Sequence, residues 1–355
     1  MESPLQTKIS FLLYRYRFLL VYVVIGFSSI VAEILMFMAL SQFRLPELPS
    51  KLCGVATSLG VAYFLNVRFN FKVPHGKRRR AFLFFVAIST GSFLLNTAAQ
   101  SLFIQLNPNL KYEQTRVITS GMLFLIAYVL HRRFTFADAK QVGVAVYANK
   151  VEDIQAIRRK VGLFPDFIHM DVVDETFRPG TETPNTHRIE VAHAYWPQKQ
   201  LHAHLMTRQP TRYFEWVLPF ADVVIVHVES DEDLNDVLKK IREAGKRAGL
   251  CVTMATSLEK VRPLAAKIDL LMLLAIARPG HSGQELELPV VDRIAEIQRW
   301  PERKHFELCV DGGVNERNIG LLNVEKIVSG SSVLNHPNPT RQIMRLQTSS
   351  NYEAI

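Results

Sequence analysis

The chain has 355 residues, enough for two domains, and its formal net charge of +9 is unevenly placed. The first 140 residues carry about +11 and the rest about −2, so the basic excess sits beside apolar segments rather than on a folded surface, which argues against nucleic acid as a partner. The three cysteines, Cys53, Cys251 and Cys309, have no CxxC spacing, which argues against a disulfide framework or a cysteine zinc site.

The N-terminal part predicts four membrane-crossing helices over Phe18–Leu40, Leu48–Val67, Ala81–Leu106 and Val117–Leu130. These stretches are apolar all round, whereas a soluble helical core would show polar faces at helical spacing. Lys8, Arg15 and Arg17 precede the first span, Arg68, Lys72, Lys77, Arg78, Arg79 and Arg80 fill the middle loop, and Arg132 and Arg133 follow the fourth. The positive-inside rule then puts both termini and the middle loop in the cytoplasm. An internal repeat is visible. Tyr63-Phe64-Leu65-Asn66-Val67-Arg68-Phe69-Asn70-Phe71 echoes Tyr128-Val129-Leu130-His131-Arg132-Arg133-Phe134-Thr135-Phe136, each after the second helix of a pair. The cations and rings, Arg68 and Arg133 among them, suit either interfacial anchoring or a lipid phosphate. Glu33 in the first span and Asn96 in the third are costly polar groups at matched depth, suited either to a sugar headgroup or to holding helices together.

This part resembles the GtrA-like membrane family over residues 10–138, through its four spans, the Asn66-x-Arg68-x-x-Phe71 and Arg132-Arg133-Phe134-x-Phe136 ends, and the acid in span one. The resemblance implies a multi-pass protein of the bacterial inner membrane, connected with polyprenyl-phosphate-linked sugars for envelope polysaccharide.

From residue 141 the pattern changes to short β-branched runs alternating with charged helical stretches. Eight strands are expected at Val142–Tyr147, Asp166–Met170, Gln200–Leu205, Asp222–His227, Leu250–Met254, Leu270–Leu274, Phe306–Val310 and Lys326–Ser329, which makes a (β/α)8 TIM barrel. The whole chain then reads as a four-helix transmembrane bundle at 1–140, a barrel at 141–340 and a tail at 341–355. Polar residues gather at the carboxyl ends of strands, where such barrels carry their sites. His169 and Asp171 are two apart on one strand and share a face; His204 and Asp311 come from two others. Two imidazoles and two carboxylates suit Zn, Fe or Mn. Gly312-Gly313 and Gly330-Ser331 follow strands seven and eight, where this fold often holds a phosphate.

These residues bring out a second resemblance, to ribulose-phosphate 3-epimerases across residues 141–340. It rests on His169-x-Asp171-x-x-Asp174, His204-Leu205-Met206, His227-x-Glu229, Pro279-Gly280-x-x-Gly283-Gln284 and Val310-Asp311-Gly312-Gly313-Val314. It implies an isomerase acting on a phosphosugar, in which a metal on His169, Asp171, His204 and Asp311 stabilises an ene-diolate while Asp171 and Asp311 move a proton from one face of C3 to the other. Met206 and the Gly280–Gly283 loop join the substrate-binding set. The sequence departs from the family at Ala145, Val173, Ala275 to Arg278 and His281-Ser282, changes that mostly remove bulk and predict a different or larger substrate. The leading expectation is a membrane-tethered ketose-phosphate epimerase in lipid-linked sugar metabolism, with homo-oligomers allowed. The alternatives are a transporter or flippase component with a sensing barrel, and a scaffold for glycosyltransferases.

Overall fold

A computed structural model describes residues 13, 16–43, 46–71, 73, 78–106, 112–131, 140–148, 153–281 and 283–348. Two compact units, Met1–Ala139 and Lys140–Ile355, divide the chain.

The first unit contains α1 (Arg17–Gln42), α2 (Glu47–Leu65), α3 (Arg78–Leu106) and α4 (Tyr112–Leu130). Among the described residues, three helices are long and apolar enough to cross a membrane, and the fourth holds a shorter apolar stretch, Ile118–Leu130. Helix α2 continues as a π-helical turn, Asn66–Asn70. There the repeat's asparagines bond inward: Asn66 Nδ2 donates to the Ala62 carbonyl (2.8 Å), and Asn70 Nδ2 donates to Asn66 Oδ1 (2.9 Å) and to the Phe18 carbonyl (3.1 Å). Phe71 stacks on Phe18 with centroids 5.7 Å apart. Arg68 is exposed. Arg132 to Phe136, and so Arg133, lie outside the described residues.

Glu33 and Asn96 serve different helix pairs. The Glu33 side chain lies against Gly54 of α2, where an added Cβ would stand 3.3 Å from its Cγ. Asn96 Nδ2 donates to Ser120 Oγ on α4 at 3.2 Å.

The second unit is a closed parallel barrel in sequence order: β1 (Gln141–Tyr147), β2 (Phe167–Val173), β3 (Gln200–Met206), β4 (Val223–His227), β5 (Arg247–Thr253), β6 (Leu270–Leu274), β7 (Glu307–Asp311) and β8 (Lys326–Ser329). Strand β2 runs three residues beyond the expected end at Met170, because every residue from Phe167 to Val173 is buried and paired with β3. Asp171 therefore belongs to the strand itself. The outer helices are amphipathic. Helix α5 (Ile154–Val161) buries Ile154, Ile157 and Val161, is capped by Asp153 accepting from the Gln155 N–H at 2.8 Å, and ends at Gly162 with φ 58°. Asp233 caps the helix Leu234–Glu243 in the same way. The helix Pro339–Thr348 spans the expected boundary at 340: Ile343 and Leu346 are fully buried, and Gln347 Nε2 donates to the Phe164 carbonyl (3.0 Å) and Asp166 Oδ2 (2.7 Å).

The barrel interior fills by alternation along each strand. Ala145, Phe167, Val173, Met206, Val223, Ile225, Cys251 and Met272 belong to one buried cluster. At its amino end the Phe167 ring stacks on His202 (centroids 4.2 Å) under the Lys326 ammonium. Gly143 leaves the room for that ring, since a Cβ there would stand 2.2 Å from Phe167 Cε2. Gly143→Ala should lower stability by about 1–3 kcal/mol through overpacking. Melting of the detergent-purified chain checks this, and an unchanged melting temperature would show that the ring has space to yield.

Candidate functional site

Register sets the site. Asp171 on β2 stands opposite His204 on β3, and Tyr147 on β1 stands opposite Asp171. Asp311 is the last residue of β7. His169, Asp171, His204 and Asp311 are all buried, and each offers one donor atom within 4.8 Å of the others. His204 Nδ1 lies 2.9 Å from Asp171 Oδ1 and 4.0 Å from Asp311 Oδ2; His169 Nε2 lies 3.3 and 3.9 Å from the same two oxygens. The structure thus brings together the four residues singled out from the sequence.

Their electrostatics differ. Burial raises the Asp171 carboxyl, but His169 and His204 more than reverse this and hold it at about 2. Burial and the neighbouring Asp171 charge push Asp311 up to about 7. Burial, against the pull of Asp171, lowers His204 to about 3, which leaves a neutral ring with a free lone pair. For His169, burial lowers proton affinity, but the two carboxylates outweigh it and the net shift is upward. The cluster favours a positive charge between its acids. Neither ring nitrogen of His169 has a hydrogen-bond partner, an unusual state for a fully buried imidazole. Orphaned nitrogens, two carboxylates and neutral imidazole together fit a divalent transition metal.

A cavity of about 350 Å³ opens on these acids. Met206, Gly280, Gly283, Gly312, Gly313, Gly330 and Ser331, all expected at the substrate, line it together with Asp171 and Asp311. Gly313 is required by conformation and by space: φ is +69°, and a Cβ would stand 2.2 Å from the Leu286 nitrogen. Its carbonyl accepts from Asn318 Nδ2 (2.9 Å) and Asn315 Nδ2 (3.2 Å), which pins the loop after β7. Gln284 clamps the other loop: Nε2 donates to the carbonyls of Arg278 (2.6 Å) and His281 (2.8 Å), and Oε1 accepts from the Arg278 N–H (2.9 Å).

The departures noted in the sequence separate here. Ala145 lines the cavity. Val173 and Ala275 are buried without lining it, and Arg278 is exposed and also outside the lining. Ser282 lies outside the described residues. Residues missed from the sequence include Tyr147 and Asn335, which line the cavity, and Arg178, whose Nη1 donates to the Gly280 carbonyl at 2.9 Å. No strand-end signal marks Arg178, because it reaches the site from the loop after β2.

Behind the cluster, Glu229 Oε1 accepts from the Thr253 N–H (3.0 Å) and hydroxyl (2.7 Å), and Oε2 lies 3.0 Å from His227 Nδ1. Burial raises the Glu229 carboxyl, but these partners outweigh it and hold it at about 2.

A closed parallel barrel with paired acids and imidazoles at its carboxyl rim has the layout of an enzyme's site. Residues 141–334 match the Ribulose-phosphate 3 epimerase family, and the chain belongs to that family. Residues 21–141 match the GtrA/DPMS transmembrane domain. The ribulose-phosphate 3-epimerase of Synechocystis sp. is 30% identical over 198 residues, covering 53% of this chain and 84% of that protein. That of Escherichia coli K12 is 27% identical over 189 residues (52% and 83%), and that of Bacillus subtilis 28% over 214 (58% and 94%).

Asp174 organises the loop after β2. It accepts from the Thr176 N–H (3.0 Å), the Thr207 hydroxyl (2.6 Å) and the Tyr213 hydroxyl (3.0 Å). Burial raises its carboxyl, but the hydrogen bonds outweigh it and the net shift is below the ordinary 3.8. A depressed folded-state pKa means the stabilisation is present above that ordinary value and lost as pH falls through the folded one. Asp174→Ala should cost about 1–3 kcal/mol for each buried donor it strands. It should also remove part of the wild-type stability loss below pH 4. Melting curves at pH 6 and pH 3.5 check both, and identical pH dependence in the two proteins would contradict the assignment.

Proposed function

We propose that the barrel is a metal-dependent epimerase of a ketose phosphate, held at the bacterial inner membrane by its helical unit, with barrel and termini on the cytoplasmic side. The observation that carries this reading is the pair Asp171 and Asp311. The two carboxylates sit on separate strands, open on one cavity, and have proton affinities pushed in opposite directions. Such a pair divides base and acid roles between its members.

His169, Asp171, His204 and Asp311 would hold the divalent metal, Zn, Fe or Mn. When bound, it supplies Lewis-acid polarisation of the carbonyl next to the reacting carbon and stabilises the ene-diolate. The chain's own residues do the rest. The phosphate rests against the backbone of Gly280, Gly283, Gly312, Gly313, Gly330 and Ser331, where glycines let a ligand come close. Met206 covers the sugar. One of the two aspartates takes the C3 proton from its face, and the other delivers a proton to the opposite face, which inverts the centre.

Proton abstraction needs a free carbonyl beside the reacting carbon. A sugar locked as a polyprenyl-phosphate glycoside has none, so the substrate is a free ketose phosphate. The membrane unit connects that chemistry to lipid-linked sugar and envelope polysaccharide. Asn96 Oδ1 and Gln100 Nε2, buried on α3 without hydrogen-bond partners, favour a second reading in which this unit binds a sugar headgroup for transport and the barrel senses or docks.

Full-length chain in detergent, supplied with Zn, Fe or Mn and a ketose phosphate in deuterium oxide, should incorporate deuterium at C3. Asp311→Asn should slow this by roughly 10²–10⁴-fold. No exchange with any of the three metals would overturn the epimerase and leave the transport reading. Ala145 presents only a methyl group to the cavity, so ketose phosphates other than ribulose 5-phosphate should turn over faster than it, and the opposite order would contradict the altered pocket.

A further inference from the structure

Two imidazoles meet edge to edge behind the candidate metal centre. His204 Nε2 lies 2.8 Å from His227 Nε2, a hydrogen-bond distance, and the rings are nearly parallel at 18°. Both residues are fully buried. Phe177 packs on the far ring, with centroids 4.3 Å apart. The direction of each hydrogen bond can be followed from the far end. The Thr253 backbone N–H can only donate, and it donates to Glu229 Oε1. The ionised Glu229 can only accept, so the hydrogen between its Oε2 and His227 Nδ1, 3.0 Å apart, belongs to the imidazole. In the neutral imidazole, which carries one hydrogen, His227 Nε2 is then left as the acceptor. The hydrogen in the 2.8 Å contact belongs to His204 Nε2. His204 Nδ1, the nitrogen that faces Asp171, carries none.

We propose that His227 and Glu229 are positioning residues that fix the tautomer of His204, keeping its Nδ1 lone pair aimed at the cluster formed with His169, Asp171 and Asp311. The proposal rests on the metal reading given above and deepens it. A metal-ligating histidine must offer a bare nitrogen, and the N–H on its other side needs a partner to hold the ring in that state. Without His227 the Nε2–H would be stranded in a fully buried place. The ring would then turn to its other tautomer, in which Nδ1–H donates to Asp171 at 2.9 Å and the ligand atom is lost to a hydrogen bond. Three elements are tied in by this route: β3 through His204, β4 and its end through His227 and Glu229, and β5 through Thr253.

Co²⁺ serves as the probe, because its visible absorption reports ligand identity and geometry without turnover. Binding to the full-length chain in detergent is measured by competition with a chelator of known affinity, alongside the spectrum. His227→Leu should weaken Co²⁺ binding roughly 10–100-fold and shift the visible band. His227→Gln places an amide oxygen within reach of Nε2–H and should recover most of the affinity and the wild-type band. Glu229→Gln should lose affinity in the same direction with its melting temperature near wild type, and it stands in for His227→Leu should that variant not fold. Wild-type affinity and spectrum in His227→Leu, or in its stand-in, would overturn the relay. Equal losses in the leucine and glutamine variants would overturn the tautomer role in favour of packing. A wild-type chain that takes up no Co²⁺ would instead overturn the metal reading on which the relay rests.

Discussion

The burial of two carboxylates within about 4 Å of two imidazoles, at the rim of an otherwise apolar barrel, is the constraint on which the rest depends. Asp171 is 2% exposed and Asp311 8% exposed. Two like charges so placed repel each other, and burial penalises each. The structure resolves this by division: Asp171 is held ionised by imidazoles, and Asp311 is held towards its neutral form. A cation between them relieves the same strain. Proton affinities pushed apart and a place for a cation are the two things that proton transfer beside a carbonyl requires.

Around that centre, the fold spends polar groups on rigidity. Gln284 closes the loop after β6, Asn315 and Asn318 close the loop after β7, and Asp174 closes the loop after β2. Each binds backbone or a hydroxyl of a neighbouring element. The cavity floor is therefore fixed before any ligand arrives, which lowers the entropic cost of placing a phosphate and a reacting carbon at once. In the membrane unit the Asn66 and Asn70 amides bond to one another and to nearby carbonyls, while Asn70 Oδ1, Asn96 Oδ1 and Gln100 Nε2 are buried without a hydrogen-bond partner. Those unpartnered atoms are why the helical unit, beside its membrane association, carries the second, transport reading.

Much of this was legible in the sequence, for identifiable reasons. Strands of a parallel barrel are buried on both faces, so they stand out as short apolar runs, and polar residues at their ends are conspicuous. The period of two put His169 and Asp171 on one face without further information. What lay beyond reach depended on loop paths. Arg178 arrives at Gly280 from a segment with no periodicity. Arg278 read as one of the departures that alter the substrate, yet its side chain is exposed and its backbone engages Gln284. Glu33 and Asn96 share a depth in the sequence, but depth does not say which helices touch: Glu33 lies against Gly54, and Asn96 Nδ2 donates to Ser120 Oγ. The helix that spans the expected boundary at 340 carries no strand signal, and Gln347 and two buried aliphatics fasten it to the barrel.

The central claim is that His169, Asp171, His204 and Asp311 form one metal centre. Its most direct test is the metal content of the full-length chain, purified in detergent and measured by elemental mass spectrometry, beside His169→Ala. About one divalent transition metal per chain, lost in the variant while the chain remains folded, is the expected result. A wild-type chain that carries no metal, and takes up none when Zn, Fe or Mn is supplied, would contradict it.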